Sequence, residues 1–533
     1  MKTKKKTILE RADFPEQIGV SSKEIGDFLK DAKENDIELH SVMIMRDGKV
    51  AYESWAKPYA SDIPHAMYSV SKSFTATAVA FAIEEGLMSL DTRVIDVLPE
   101  YAPQTPDKNL EILNVHHLLS MQSGKDISVF SDKNKNHWIK DFFDAPWKFT
   151  PGDGTWQYIS ENQYMLCVML TRVTGMSVTE YLTPRLFEPL GIDVPFWEHD
   201  IDGIEAGGWG LFLKTEDLAK FISCYQHNGV FNGKQIIPEN WVRLARRHHS
   251  DNSPFNKDPD NQCGYGYCFW HCGGANAYRA DGMFSQFGII LNDTDASFIV
   301  TAGEIDEQKT RDCIWRHFPK CLIKPRNNPP KAIPQLEPLS DNLPACGHSE
   351  FEKEIAGKEI HFKKNVLLNT VGFPVSMLPF PVIYMSGDRA GNIDNLMLNF
   401  SENECTMSWT EGDEANTIVC GMDGEARYSD IKLAGINFTA VSTAAWVEEN
   451  VLEIHMRPVQ AICMRGIKLK LNDNKVTLYP FSKQPLSAMV GSIAKDLDVF
   501  LPPVLLPLQN VAGVAFDKLP AIVDSPLSGE IRK

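Results

Sequence analysis

The chain has 533 residues, a formal net charge of −17 and an apolar content of 43%. This length predicts two or three domains, and the apolar content is sufficient for their cores. The negative charge excludes nucleic acid and anionic membrane surfaces as main partners, because binding to either requires a basic footprint.

The N-terminal stretch "MKTKKKTILERADFPEQ" is first basic and then acidic, and it lacks the apolar core of an export signal. No stretch of the chain reaches the roughly 18 apolar residues of a membrane helix. The nearest, "VFLPPVLLPL", is short and broken by prolines. The eleven cysteines follow no repeated spacing. We therefore expect reduced thiols, no membrane insertion and a cytoplasmic location.

The first predicted elements are a helix and a hairpin. Ser21 and Glu24 have the spacing of a capping box, which predicts a helix from Ser21 to Glu34. Two β-prone runs within Ser41–Trp55 flank an Asp-Gly pair at 47–48. A tight primed turn prefers that pair, so the pattern predicts a β-hairpin.

The next part of the chain is mainly helical before it returns to strands. One helix opens at Ser69, and two more cover Ser160–Gly175 and Thr215–Gly229. Gly264–Gly303 then contains strand-like runs separated by turn residues. Strands at both ends with helices between them predict an α+β domain over residues 1–323. In this domain an antiparallel sheet carries an inserted helical subdomain.

The second half of the chain has a different residue pattern. Residues 324–344 are rich in proline, which predicts an extended linker. Residues 345–484 alternate short strand-like runs with turn residues, which predicts a C-terminal antiparallel β domain. The last segment, 485–533, is an apolar tail broken by prolines, and we expect it to pack on a domain surface or on a partner.

Ser69 and Lys72 stand three residues apart at the start of the helix that ends near Gly86, and therefore on one helix face. A neutral lysine can take the proton of a serine hydroxyl, and the apolar helix behind the pair could keep Lys72 neutral. The helix N-terminus also favours a developing oxyanion. The same spacing arises by chance in many chains, where it marks a capped helix with a surface lysine.

A turn-rich loop brings Tyr158, Ser160 and Asn162 to the start of the helix predicted over Ser160–Gly175. Tyr158 could shuttle protons as phenol or phenolate if a nearby ammonium lowers its pKa. Ser160 and Asn162 could hold Lys72 or a substrate carbonyl. The alternative is a buried tyrosine beside two helix-capping side chains.

Gly282 precedes a strand-like run, so the backbone there can approach a ligand closely and supply an oxyanion donor. Taken alone, this stretch is only a turn before a strand. Several aromatic residues near these motifs are candidates for a pocket lining, with core packing as the alternative for each. They are Trp147, Trp156, Trp209, Trp270, Tyr278 and Phe284.

Three short motifs stand out together. They are Ser69-Val70-Ser71-Lys72, Tyr158-Ile159-Ser160 and Ala280-Asp281-Gly282-Met283. Their order and rough spacing resemble those of the penicillin-recognising serine hydrolases, which include class C β-lactamases, DD-peptidases, β-lactamase-fold esterases and 6-aminohexanoate-dimer hydrolase. Segments such as "HHLLSMQSG" and "LTPRLFEPLGI" also resemble this superfamily. The resemblance implies a β-lactamase-like fold and a serine hydrolase.

The resemblance also implies a role for each matching residue. Ser69 would be the nucleophile, while Lys72 and Tyr158 would act as general base and acid. The backbone N–H groups of Ser69 and Met283 would form the oxyanion hole. Supporting or substrate-binding positions would be Ser160, Asn162, Trp209, Asp281, Gly282 and Phe284.

The third motif departs from the Lys-Thr-Gly that is usual in β-lactamases and penicillin-binding proteins. Ala280 removes the cation that helps to hold a substrate carboxylate, and Asp281 adds a negative charge. Strand alternation turns Arg279 to the other face from Ala280. The second motif, Tyr158-x-Ser160, has the form found in the esterase and amide-hydrolase branch. We therefore expect a substrate without a carboxylate near the reacting bond.

The function expected from the sequence is cleavage of a small-molecule ester or amide through an acyl-enzyme on Ser69, without a cofactor. The alternatives are an acyltransferase with an alcohol acceptor, a β-lactamase or DD-peptidase, and a non-catalytic binding protein on the same fold. A zinc site is not expected, because the spacing of Cys263, Cys268, His271 and Cys272 does not fit one. Homo-oligomerisation is left open.

Overall fold

The structure is a computed structural model. It describes residues 8–127, 138–200, 202–363, 393–411, 414–433, 435–483 and 526–532. Internal contacts divide the chain into two compact units, Met1–Glu337 and Pro338–Lys533. The division lies inside the proline-rich segment 324–344. Most of the predicted tail, 485–533, lies outside the described residues.

The first unit contains an antiparallel sheet whose strands come from both ends of its sequence. The strands are β1 (Leu39–Arg46), β2 (Lys49–Trp55), β3 (His65–Ala66), β4 (Phe212–Leu213), β5 (Val230–Phe231), β6 (Lys234–Gln235), β7 (Trp270–His271), β8 (Ala277–Gly282), β9 (Gln286–Leu291) and β10 (Ala296–Ala302). Six of them form the sheet, in the order β2-β1-β10-β9-β8-β7. The predicted α+β arrangement is therefore confirmed.

Helices cover both faces of this sheet and fill the long connection between β2 and β7. They are α1 (Ser22–Glu34), α2 (Ser71–Glu84), α3 (Val94–Val97), α4 (Lys108–Ile112), α5 (Val115–Leu119), α6 (Trp138–Asp144), α7 (Glu161–Thr174), α8 (Val178–Leu182), α9 (Glu188–Leu190), α10 (Thr215–Gln226), α11 (Glu239–Ala245) and α12 (Glu307–Cys321). The terminal helices α1 and α12 share one apolar core with the sheet, whereas α10 packs on β1, β9 and β10.

The local predictions at the N-terminus hold in most details. Asp47 and Gly48 have φ values of 51° and 71°, the left-handed conformation that a primed turn between β1 and β2 requires. The Ser21 side chain accepts a hydrogen bond from the Glu24 backbone N–H at 3.4 Å. The return bond of a capping box is replaced, because the Ser21 N–H donates to the Cys321 carbonyl at the end of α12. The Ser21 N–H therefore makes a tertiary hydrogen bond instead of the local bond of a capping box.

The helix predicted to open at Ser69 begins two residues later. A 3₁₀ turn over Tyr68–Val70 precedes α2, and Tyr68 has a φ of 46°, in the sparsely populated left-handed region. This turn places Ser69 just ahead of the helix. Residues 71–82 are all buried, so α2 is enclosed on every side. Gly86 follows its end with a φ of 70°, as a C-terminal glycine does.

The second unit is a largely antiparallel β domain, as predicted. Its elements are α13 (Glu352–Ile355), β11 (Glu359–Phe362), β12 (Ile393–Phe400), β13 (Glu404–Glu411), β14 (Glu414–Gly421), β15 (Arg427–Leu433), β16 (Ile436–Glu448), β17 (Val451–Pro458), β18 (Arg465–Asn472), β19 (Lys475–Ser482) and β20 (Leu527–Ile531). They form a ten-stranded sheet in the order β14-β13-β12-β11-β20-β19-β18-β17-β16-β15, with a further pairing of β14 to β16. Strand β20 belongs to the predicted tail, 485–533, and lies inside the sheet between β11 and β19.

Two further observations concern the whole described chain. All eleven cysteines fall in described residues, and each is a free thiol. Within the described ranges, no helix is both long enough and apolar enough to cross a membrane.

Candidate active site

The first turn of α2 carries a buried amine with three oxygen neighbours. Lys72 is only 1% exposed, and its Nζ lies 2.8 Å from Ser69 Oγ. The same Nζ is 3.0 Å from Ser160 Oγ and 2.8 Å from the carbonyl oxygen of Gly208. Two of the predicted motifs are therefore joined at one nitrogen atom, and the Gly208 carbonyl is an additional partner.

Burial is the main influence on the Lys72 amine. Removal from water disfavours its charged form and lowers its pKa from 10.5 to about 7. Cys268, Glu161 and Asp281 act in the opposite direction but do not compensate for the burial. The amine is therefore divided between its neutral and charged forms near neutral pH, as the sequence predicted for an enclosed lysine.

Tyr158 lies against the same nitrogen. The Lys72 Nζ is 4.6 Å from the centre of the Tyr158 ring, and the Ser69 side chain is close enough to the Tyr158 hydroxyl to act on its pKa. Burial raises the pKa of Tyr158 well above 10, so the side chain keeps its proton. The condition set for Tyr158 as a phenolate, a pKa lowered by a nearby ammonium, is therefore not met, because burial disfavours the charged form of the phenol.

Strand β8 ends against the turn that carries Ser69. A Cβ atom on Gly282 would lie 2.3 Å from the carbonyl oxygen of Met67 and 3.2 Å from Val70 Cγ2. Only a glycine permits this approach, since the first contact is with rigid backbone. It brings Met283, the residue after β8, to the same turn as Ser69.

The turn that follows Met283 is tied down by one buried amide side chain. Gln286 Nε2 donates to the carbonyl oxygens of Met283 at 3.2 Å, Phe284 at 2.9 Å and Ala302 at 2.8 Å. The Phe284 N–H donates to Glu307 Oε1 at 2.9 Å. These bonds hold the backbone at the end of β8, and the sequence motifs contained no signal for Gln286.

A second glycine contact fixes the loop before β4. A Cβ on Gly208 would come within 2.8 Å of Ser160 Cβ. The Gly208 carbonyl can therefore reach Lys72 only because residue 208 has no side chain. Trp209, the next residue, is half-buried, and its carbonyl accepts a bond from Trp197 Nε1 at 2.8 Å. The Gly-Gly pair at 207–208 was the one available sequence signal for this partner.

Two predicted site residues have other surroundings than expected. Asn162 is fully buried, and its Nδ2 lies 3.5 Å from Met121 Sδ. Among the described residues, Lys72 Nζ bonds with Ser69, Ser160 and Gly208 and not with Asn162. Asp281 Oδ2 accepts from Arg279 Nε at 2.5 Å and lies 3.8 Å from Arg311 Nη1. The expected repulsion of a substrate carboxylate by Asp281 is therefore weakened, because two guanidinium groups neutralise its charge.

The aromatic candidates form separate groups rather than one pocket. Trp156 and Trp270 pack at 5.5 Å, and Tyr158 lies 5.3 Å from Trp270. The Phe284 ring packs on Tyr68 at 5.1 Å. Elsewhere, Trp147 covers Lys125, Trp209 lies beside Trp138, and Tyr278 packs on Phe269. Only the first two groups adjoin the Ser69 turn or Tyr158.

This arrangement and the fold define a class, the penicillin-recognising serine hydrolases, as the three motifs indicated. The family model for beta-lactamase matches residues 30–308, just over half of the chain. The chain belongs to the beta-lactamase family.

Named relatives fall on several branches of this class. 6-Aminohexanoate-dimer hydrolase of Paenarthrobacter ureafaciens is 26% identical over 38% of this chain, which spans only 55% of that relative's length. Esterase EstB of Burkholderia gladioli is 26% identical over 42% of this chain and 73% of its own length. Penicillin-binding protein 4 of Amycolatopsis lactamdurans is 33% identical over 44% of this chain and 71% of its own. The family and its named relatives thus point to a hydrolase in general terms.

The lowered pKa of Lys72 predicts that folding stability rises with pH. Between about 7 and 10.5, the unfolded chain holds a proton on Lys72 that the folded protein has released. Unfolding then takes up a proton, so raising the pH opposes it. From about pH 6 to pH 9 the gain from this group is about 3 kcal/mol.

Urea unfolding of wild type and Lys72→Met at these two pH values isolates this effect, since other groups titrate alike in both proteins. We expect wild type to gain that amount relative to Lys72→Met as the pH rises. A stability difference that does not change with pH would show that the folded amine keeps its ordinary pKa.

The Gly282 contact predicts a large effect from a single methyl group. In Gly282→Ala the new Cβ meets the Met67 carbonyl, so β8 or the Ser69 turn must shift. We expect kcat/KM to fall about 10²-fold, as displacements near 1 Å cost in an active site. Steady-state kinetics on any ester that wild type cleaves measures this.

Gly26→Ala is the matched control. Gly26 lies inside α1, where a new Cβ meets only Pro334 at an ordinary 3.7 Å. Alanine there is expected to stabilise the helix by about 0.5–1 kcal/mol and to leave kcat/KM unchanged. Equal activity in the two variants would contradict the role given to the Gly282 approach.

Proposed function

We propose that this protein is a serine hydrolase that cleaves an ester or amide of a small molecule through an acyl-enzyme on Ser69. The observation that supports this most directly is the Lys72 amine, which lies 2.8 Å from Ser69 Oγ. Burial lowers its pKa to about 7, so a large share of the amine is neutral near neutral pH. A neutral amine at this distance can accept the serine proton.

In the first half-reaction, a bond forms between Ser69 Oγ and the substrate carbonyl carbon, and the serine proton passes to Lys72. The bond from that carbon to the leaving oxygen or nitrogen then breaks. Tyr158, which keeps its proton, protonates the leaving group and is reprotonated by Lys72. Water attacks the acyl-enzyme by the reverse route, and the acid is released.

The oxyanion that forms on the carbonyl would be held by the N–H groups of Ser69 and Met283. The close approach of Gly282 to the Ser69 turn supports this assignment, and so do the bonds from Gln286 that hold the carbonyls after β8. Ser160, 3.0 Å from Lys72, would orient the amine toward Ser69.

The charges around β8 support the proposed substrate class. Ala280 offers no cation at the position where the motif of β-lactamases and penicillin-binding proteins usually has lysine, and Arg279 is already paired with Asp281. A carboxylate next to the reacting bond therefore has no evident partner among the described residues of this strand. An esterase and a 6-aminohexanoate-dimer hydrolase are among the relatives, and the missing cation favours that type of substrate over a β-lactam.

A fluorophosphonate probe followed by a substrate panel tests the proposal. We expect the probe to label Ser69, as located by mass spectrometry of peptides, and esters or amides to be turned over. Nitrocefin should be cleaved far more slowly than the best ester. Added alcohols distinguish hydrolysis from acyl transfer by the product formed. A protein that takes no probe would be a binding protein, and rapid nitrocefin cleavage would overturn the substrate class.

A further inference from the structure

A second depression lies in the first unit, at the end of the sheet where β8 begins and β9 ends. Its volume is about 460 Å³, and it is lined by Arg243, Arg246, Arg247, Asn276 and Asn292. The arginines belong to the last turn of α11 and the two positions after it. The asparagines flank the strand ends that pair Ala277 with Leu291. We call these five residues the arginine depression.

The three guanidinium groups have no carboxylate partner. Among the described residues, no Asp or Glu oxygen lies within 4.0 Å of Arg243, Arg246 or Arg247, although most other arginines of the unit are ion-paired. Arg243 donates to Asn240 Oδ1, and the Arg246 guanidinium lies close enough to the Tyr278 hydroxyl to lower its pKa, against the larger effect of burial. The chain has a net charge of −17, so a cluster of three arginines without an ion-pair partner among the described residues is unusual in it.

The asparagines form a fixed polar rim beside these charges. Asn292 Nδ2 donates to Asn276 Oδ1 at 2.9 Å, and Asn276 Nδ2 donates to Asp293 Oδ1 at 2.7 Å. Asp293 is thus a carboxylate held by the rim, and among the described residues it forms no ion pair with an arginine. The three guanidinium groups of the depression remain without an ion-pair partner in this described part of the chain.

Favourable placement at a helix C-terminus accounts for only part of this cluster. Arg243 lies in the last turn of α11, where a cation interacts well with the helix dipole. Arg246 and Arg247 lie beyond the helix and face the depression. Guanidinium groups in this arrangement match the paired oxygens of phosphate and carboxylate.

We propose that the arginine depression binds a small anion that carries two or more phosphate or carboxylate groups. Its volume falls in the range of small-ligand sites, about 300–1,000 Å³. Three positive charges on one side suit a multiply charged ligand better than a single carboxylate, since each group can take its own guanidinium.

This site is distinct from the Ser69 site. Arg246 contacts Tyr278, which precedes Gly282 by four residues in β8. At the rise of an extended strand, that separation is about 13 Å. The anion would therefore bind at the far end of β8 from the oxyanion donors, and the proposal stands whether or not Ser69 is a nucleophile.

Isothermal titration calorimetry with tripolyphosphate and, separately, with citrate tests the proposal at fixed ionic strength. We expect at least one of them to bind wild type, and Arg246→Gln/Arg247→Gln to weaken that binding at least about tenfold. Arg247→Gln alone, an exposed position, guards against misfolding of the double variant. Binding of one probe only identifies the group, phosphate or carboxylate, that the site prefers.

The matched control is Lys108→Gln/Lys234→Gln, which removes the same charge at two exposed lysines that do not line the depression. Its binding should equal that of wild type. Absence of binding to wild type by both probes would overturn the proposal. So would equal weakening in the control and the arginine variants, because it would reduce the effect to net charge.

Discussion

Ser69→Ala is expected to lower kcat/KM for the best ester about 10⁴-fold or more and to abolish fluorophosphonate labelling. The proposed bond to the substrate carbon forms on Ser69 Oγ, and loss of a nucleophile in comparable serine enzymes has effects of this size. The residual rate would come from substrate binding and oxyanion stabilisation alone. Stopped assays with a high enzyme concentration can measure it.

The nearest alternative nucleophile is Ser160, whose Oγ lies 3.0 Å from the same amine. Ser160→Ala should retain labelling at Ser69 and lose less activity than Ser69→Ala. Ser89→Ala, at an exposed position, should behave as wild type. Labelling that survives in Ser69→Ala but disappears in Ser160→Ala would transfer the nucleophile to Ser160.

Lys72→Met is expected to lower kcat/KM about 10³-fold, because the serine proton loses its acceptor. In wild type, kcat/KM should rise with pH and level off, with a midpoint near the Lys72 pKa of about 7. The sign follows from burial: the base is the neutral amine, and its fraction grows as the pH passes that value. A pH–rate profile over the stable range provides the measurement.

Lys72→Arg distinguishes the role of Lys72 as a base from the effect of its positive charge. Arginine keeps a cation at the position but stays protonated at any working pH, so it should be nearly as inactive as Lys72→Met. The variants should also lose the pH midpoint near 7. If that midpoint persists in Lys72→Met, another group is the base, and the role given to Lys72 is wrong.

Much of the local structure could be predicted from neighbouring residues. The hairpin depends on two residues that accept positive φ, Asp47 and Gly48, and they lie side by side in the chain. The capping box was only half right, since the Ser21 N–H found a partner at Cys321, three hundred residues away. Short-range patterns specify which bonds a segment can make, and the fold chooses among them.

In the candidate site, too, some features could be predicted from neighbouring residues and others depended on the fold. The helical spacing of Ser69 and Lys72 was readable, and so was the arrival of Tyr158 and Ser160 at a helix entrance. The direction of the Tyr158 pKa was not, because desolvation depends on everything packed around the ring. Likewise, the charge of Asp281 was visible beside Arg279 in the sequence, but the second guanidinium near it, that of Arg311, comes from the last helix of the unit.

The sequence by itself determined the order of the motifs, the sheet-and-helix class and the pairing of a hydroxyl with an amine one helical turn apart. The tertiary structure decided whether that amine is buried and therefore partly neutral near neutral pH. It enclosed α2 on every side, delivered the Gly208 carbonyl from 136 residues away and let Gly282 approach the Ser69 turn. The physical reason is that burial and backbone approach are properties of surroundings, which distant segments create only after the chain has folded.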